Sequence, residues 1–127
     1  MYDLIVIGGG PAGVTAALRA RELGASVALV ARGYLGGICT NDGTVPTRVL
    51  AKAARLVRES EQFSDYGIES GNATVDFAQL LGRARQVIEQ VNTKKQILEH
   101  LERTGTTIFT QAGDTRFIDP HTIELAD

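Results

Sequence analysis

The chain has 127 residues, 43% of them hydrophobic, which suffices for one core and fits a single domain over residues 1–127. A net charge of −2 gives no electrostatic ground for nucleic acid or an anionic membrane surface as a partner. No apolar run approaches the ~20 residues of a membrane span, and no basic region precedes the first apolar segment, which argues against a secretion signal. The one cysteine, Cys39, excludes an internal disulfide and fits a reducing, cytoplasmic compartment, and His100 and His121 lack metal-ligand spacing.

Residues 3–7, DLIVI, are a short β-branched run that reads as a buried strand. Gly8-Gly9-Gly10 break it, and Pro11-Ala12-Gly13 open a helix expected to run to Leu23 and to end at a left-handed Gly24. Gly8, Gly10 and Gly13 fit G-x-G-x-x-G at a strand-to-helix junction, the setting in which that pattern implies dinucleotide binding. In this reading Gly8 makes the turn, Gly10 lets backbone approach a pyrophosphate, and Gly13 lets helix and strand pack closely. The helix N-terminus offers free N–H groups and a partial positive charge. A glycine-rich turn without a ligand is the bland alternative.

Residues 25–31, ASVALVA, form a second strand of the continuous apolar kind found in parallel sheets. Together these elements make a βαβ unit of about 30 residues. The dinucleotide fingerprint places Asp or Glu at the end of this strand to accept ribose hydrogen bonds, yet Ala31 stands there, followed by Arg32. A hydrogen bond to a charged group contributes roughly 1.5–3 kcal/mol, so its loss weakens a dinucleotide about ten- to a hundred-fold without abolishing the site. Arg32 by itself suggests the 2′-phosphate of NADP.

A further helix starts at Val45-Pro46, with proline in its first turn. Leu50, Ala53, Ala54 and Val57 recur at helical spacing and should face the core, while Arg48, Lys52 and Arg55 form a solvated stripe. Residues 60–73 read as a loop, with a short strand near residues 66–69. Asp76 and Gln79 suggest a capping box for a long helix reaching about Arg103. Its apolar stripe is Phe77, Leu80, Leu81, Ala84, Val87, Ile88 and Val91, resumed at Leu98 and Leu101. Gly105 ends it, residues 106–110 make a third parallel strand, and residues 117–125 make a hairpin turning at Pro120, with His121 in the turn. No repeat or low-complexity linker marks a domain boundary.

The segment GGICTNDGTVPTR, Gly36 to Arg48, resembles the signature of the pyridine nucleotide-disulfide oxidoreductases, G-G-[TS]-C-x-N-x-G-C-[VI]-P-[ST]-K, without a gap. That family holds dihydrolipoamide dehydrogenase, glutathione reductase and mercuric reductase. With YDLIVIGGGPAG at the start, two motifs agree in order and separation. Looser likeness through TVDFAQLL and AGDTRFIDP extends the resemblance over the whole chain, but only to the N-terminal part of a family member.

The resemblance implies an α/β, Rossmann-type FAD-binding domain with a parallel sheet, incomplete relative to the family. It assigns FAD binding to Gly8, Gly10, Pro11, Ala12, Gly13, Ala31, Arg32, Gly37, Cys39, Thr44, Arg48 and Gly113. NAD(P)H would bind a domain absent from this chain, and against that background the NADP reading of Arg32 lapses. Family members pass electrons from flavin to a cysteine pair. Cys39 matches the first member, but the second position is Thr44, whose hydroxyl forms no disulfide. Cys39 is thus a lone catalytic remnant, expected as a small side chain packed by the flavin rather than as a reactive thiol. Arg48 replaces a lysine beside the flavin's reactive edge, keeping charge but not shape. The soluble pyridine nucleotide transhydrogenases are similar at this spot, with cysteine then threonine, and move hydride between nicotinamides without a dithiol.

The expected function is therefore the FAD-binding portion of a flavin-dependent NAD(P)H oxidoreductase that lacks the redox disulfide, inactive by itself. The alternative is a non-catalytic or split module that binds FAD weakly and acts through a partner chain. C-terminal segments or a partner are expected to complete the sheet, since a strand edge and apolar helix surface should stay uncovered. A homodimer is the family habit. A piece, a truncated product and half of a split enzyme all remain open.

Overall fold

The computed structural model describes residues 1–69 and 71–126. The chain runs β1 (Leu4–Ile7), α1 (Pro11–Glu22), β2 (Val27–Val30), α2 (Gly37–Asn41), α3 (Thr44–Ser60) and a 3₁₀ turn (Phe63–Tyr66). It continues through α4 (Phe77–Lys95), α5 (Ile97–Arg103), β3 (Thr107–Phe109), β4 (Thr115–Asp119) and β5 (Thr122–Leu125). The first three strands form a parallel sheet in the order β1-β2-β3, with Leu4 opposite Val27 and Ala28 opposite Thr107. This is the α/β architecture with a parallel sheet that the sequence implies. Strands β4 and β5 form a separate antiparallel hairpin, turning at Pro120 and His121.

All four residues of β2 are buried, because a strand stands on each side of it. Its neighbour β1 has no second partner among the described residues and leaves Leu4 and Ile7 exposed. Val27, Leu29 and Ala31 meet Val14 and Ala17 of α1 and Leu101 of α5 to make the core. Leu29 and Leu101 are fully buried, and each stabilises the fold by about 1.5–3 kcal/mol. The crossover turns depend on local chemistry. Gly24, with φ of +89°, closes α1, and Asp76 Oδ1 accepts from the Gln79 N–H at 3.0 Å to cap α4.

The structure corrects several expectations. The long helix to Arg103 breaks at Gln96, whose φ is +47°. The last turn of α4 is tied to α2 by Asn92 and Lys95, whereas Ile97 and Leu101 must turn back toward α1. A straight helix cannot do both. The strand near residues 66–69 is absent: the chain makes a 3₁₀ turn closed by the Ile68 N–H to Phe63 carbonyl bond, and Gly67 takes φ of +71°. Ser70, in the expected loop, lies outside the described residues.

Helix α3 buries none of its residues. Ala53 and Val57 are half-buried, but Leu50 and Ala54 are exposed, because α3 packs on α4 rather than on the sheet. On α4 and α5, Phe77 and Leu98 are likewise exposed, since the apolar stripe meets packing partners only between Leu80 and Val91 and again at Leu101. Between α3 and α4 lies a groove of about 890 Å³, floored by Val49, Ala53, Leu80 and Val87. Arg48, Lys52, Arg55 and Arg83 also line it.

Candidate functional site

The glycine turn is built as the motif requires. Gly8 holds φ of +116°, a region that only glycine enters freely, and its N–H donates to the Val30 carbonyl at 2.7 Å. Gly10 is the extended N-cap of α1, and Pro11 takes the first helical position. The first ladder bond runs from the Val14 N–H to the Gly10 carbonyl at 3.0 Å, so the amides of Ala12 and Gly13 precede the ladder. No acidic residue sits in the first turn of α1 to compete for its positive end. Gly13 lies so close to the turn that a methyl there would overlap the Gly8 carbonyl oxygen and stand 3.3 Å from Val6 Cγ1.

Two further glycines complete the packing. A methyl on Gly37, whose φ is +60°, would stand 2.8 Å from Gly10 Cα, so these two backbones touch directly. The Gly36 N–H donates to the Gly9 carbonyl at 2.8 Å. Gly9 has no part in the G-x-G-x-x-G pattern, yet a methyl there would stand 2.9 Å from Ala31 Cβ and 3.0 Å from Leu35 Cδ2. The signal was present: the motif needs two of three consecutive glycines, and the third has its own cause.

The predicted residues other than Cys39 fall into three groups. Gly8, Gly10, Pro11, Ala12, Gly13, Ala31 and Gly37 surround the turn, with Ala31 only 2% exposed. Arg32 and Gly113 lie beside it, joined through the Ala112 N–H to Ala31 carbonyl bond at 3.1 Å. Arg32 pairs with Asp114 at 3.3 Å; both side chains are 82% exposed, so water screens the pair. Thr44 and Arg48 sit one turn apart on α3, where Thr44 is exposed and Arg48 belongs to the α3–α4 groove.

Cys39 is exposed on α2, and the inward position on that short helix belongs to Thr40, which is fully buried. Behind α2 stands a polar cluster that sequence reasoning missed. Asn41 Nδ2 donates to the carbonyls of Leu35 and Gly37, Asn92 Nδ2 donates to Asn41 Oδ1, and Lys95 Nζ donates to Thr40 Oγ1. Asn92 continues the Ala84–Ile88 stripe by another step of four, and a polar residue on an apolar stripe was the available clue.

Among the described residues, no group of three or more His, Cys, Asp or Glu side chains is placed to hold a metal ion. No described helix is long and apolar enough to cross a membrane.

Comparison with known proteins agrees with this geometry. A family model described as pyridine nucleotide-disulphide oxidoreductase matches residues 2–124. A dihydrolipoyl dehydrogenase of Acholeplasma laidlawii is 34% identical over 116 residues, covering 91% of this chain and 34% of that protein. A soluble pyridine nucleotide transhydrogenase of Mycobacterium bovis is 39% identical over 129 residues, covering 99% of this chain and 26% of its own length. A mercuric reductase of Staphylococcus aureus is 34% identical over 124 residues, covering 98% of this chain and 22% of that enzyme. The chain thus spans between a fifth and about a third of these relatives. On the family match and the built glycine turn together, the chain belongs to the pyridine nucleotide-disulphide oxidoreductase family.

Proposed function

We propose that the turn from Gly8 to Gly13 binds the pyrophosphate of FAD. In the complete protein, hydride would then pass between NAD(P)H and this flavin, and on to an acceptor that needs no dithiol. The observation that carries the reading is the exposed start of α1, where amides free of the helix ladder adjoin the glycine backbone of the turn. The residues fit the group. A side chain at Gly8 would project into open space, and at Gly10 it would meet nothing nearer than Gly37 Cα at 3.9 Å, so both positions leave backbone exposed for phosphate. Bound FAD would supply the two-electron chemistry; this chain's residues supply binding and orientation.

Ala12 and Gly13 donate backbone hydrogen bonds, and Gly10 with Gly37 admits close approach. Arg48 sets a positive charge on α3. Thr44 stands where the family's second cysteine is expected, as in the transhydrogenase pattern, so no Cys39 disulfide takes part. Cys39, exposed on α2, is left as a remnant of the pair without a redox role. Nicotinamide binding belongs to a domain outside these 127 residues, and the chain alone would not turn over.

The open edge of β1 and the α3–α4 groove favour a second reading, in which the chain works only when joined to further segments or to a partner chain, a second copy included. Leu50 and Leu56 are exposed on α3, and Leu4 and Ile7 on β1. A titration of the purified chain with FAD, followed by flavin fluorescence and by size, separates the two. Saturable binding by a monodisperse chain supports the FAD site. A folded chain that ignores FAD, but gains stability with another polypeptide, supports the module.

A further inference from the structure

We infer that Asn92, acting through Asn41, is a positioning residue that holds residues 35–37 against the glycine turn and thereby sets the cradle for the pyrophosphate. The role in FAD binding rests on the reading above; the role in holding the loop does not.

The loop needs holding because it forms one wall of the cradle. Gly36 hydrogen-bonds to Gly9, and Gly37 touches Gly10, so a shift of this loop moves the backbone that faces the ligand. Inside the loop, Asn41 Nδ2 spans the carbonyls of Leu35 and Gly37, each at 3.1 Å. That fork works in one orientation of the amide only, since a flipped side chain would aim its oxygen at two carbonyls. Asn92 Nδ2 fixes the orientation by donating to Asn41 Oδ1 at 3.1 Å, across 51 residues of sequence. Gly36 makes room for this, as a methyl there would stand 3.0 Å from Asn92 Oδ1.

One turn further along α4, Lys95 Nζ reaches the fully buried Thr40 Oγ1 at 3.3 Å, so two donors on one helix face grip α2. The left-handed break at Gln96 follows at once and hands the chain to Ile97 and Leu101, which pack with the core. The grip therefore links the cradle wall to the most buried part of the molecule.

Asn92→Asp tests the inference, because it keeps the shape but turns a donor into an acceptor facing Asn41 Oδ1. A lost hydrogen bond with an unpaired acceptor predicts FAD binding weakened about five-fold or more. Val87→Ala, in the groove on the same helix, removes apolar packing without touching the grip and should leave FAD affinity unchanged. Hydrogen exchange on the ligand-free chain should show the Gly36 amide exchanging faster in Asn92→Asp and not in Val87→Ala. Unchanged Gly36 protection in Asn92→Asp overturns the inference, as does an equal loss of FAD affinity in both variants. If wild-type chain ignores FAD while Gly36 responds to Asn92→Asp, the grip stands and the FAD reading is what fails.

Discussion

Gly13→Ala is the sharpest test of the glycine turn, because its expected sign opposes the usual rule. Gly13 is the third residue of α1, and alanine in place of glycine within a helix normally stabilises by about 0.5–1 kcal/mol. Here the new methyl would fall on the Gly8 carbonyl oxygen, 3.1 Å from its carbon and 3.3 Å from Val6 Cγ1. Unstrained contacts need about 3.5–4.0 Å, so α1 would have to retreat by more than ~1 Å. That retreat pulls Val14 and Ala17 off β2 and disturbs the cap at Gly10. Overpacking costs about 1–3 kcal/mol, which after the helix gain leaves a net loss of about 1 kcal/mol, or roughly 3–5 °C in Tm. Gly82→Ala is the control: it lies within α4 with open space around it, and should stabilise by about 0.5–1 kcal/mol. Thermal and urea melts followed by circular dichroism compare the two. If Gly13→Ala melts as high as Gly82→Ala, the close seating of α1 on the turn is wrong.

Three other perturbations read different parts of the chain. Ala31→Glu sets a carboxylate at a core position only 2% exposed, so it should lower the Tm of the ligand-free chain, and FAD should then raise its Tm by more than it raises the wild type's, by giving the carboxylate a ribose partner; an FAD-induced shift no larger than the wild type's would sink the ribose argument. Gln96→Gly relieves a left-handed residue at φ of +47° and should raise stability by up to about 1 kcal/mol in urea melts, whereas a loss would mean that the glutamine side chain maintains the break. The Ser26 hydroxyl and N–H hold the Asp3 carboxyl below its ordinary value of 3.8, and Thr122 with the His121 N–H does the same for Asp119. A carboxyl with a depressed folded-state pKa contributes stability above its unfolded pKa and loses it as pH falls through the folded one. Tm should therefore decline below about pH 4, and Asp3→Asn should flatten that decline; an identical acid profile would refute the Asp3 contribution.

Elements whose cause is local could be read from the sequence. Residues 3–13 announce strand, turn and helix by composition alone, and Asp76 announces the start of α4 by its cap. What escaped has its cause far along the chain. The break at Gln96 carries no glycine or proline to mark it; it follows from the rival demands of α2 and the core on one helix. Leu50 and Phe77 satisfy helical periodicity but stay 37% and 62% exposed, because periodicity shows which face is apolar and not how far anything covers it. The inward place of Thr40 escaped for a related reason. Which residue of a five-residue helix points inward depends on what stands behind it, and that is Lys95, 55 residues away from Thr40.

Ala31 bears most directly on the choice between a working FAD site and a module that has lost one. A surface position that had merely lost its carboxylate would leave an exposed alanine beside an unchanged turn. Ala31 is instead buried with Val14, Ala17 and Leu29, and the absent side chain of Gly9 is what lets it sit beneath the turn. Leu35 closes the same space from the loop that Asn41 holds. The residue that stands where the fingerprint places a ribose acceptor thus also supports the backbone of the glycine turn. A decaying site should loosen at its phosphate-facing turn as well as at its ribose end. This chain keeps the turn packed to contact distance at Gly9, Gly13 and Gly37, which favours a site weakened at the ribose and retained at the phosphates.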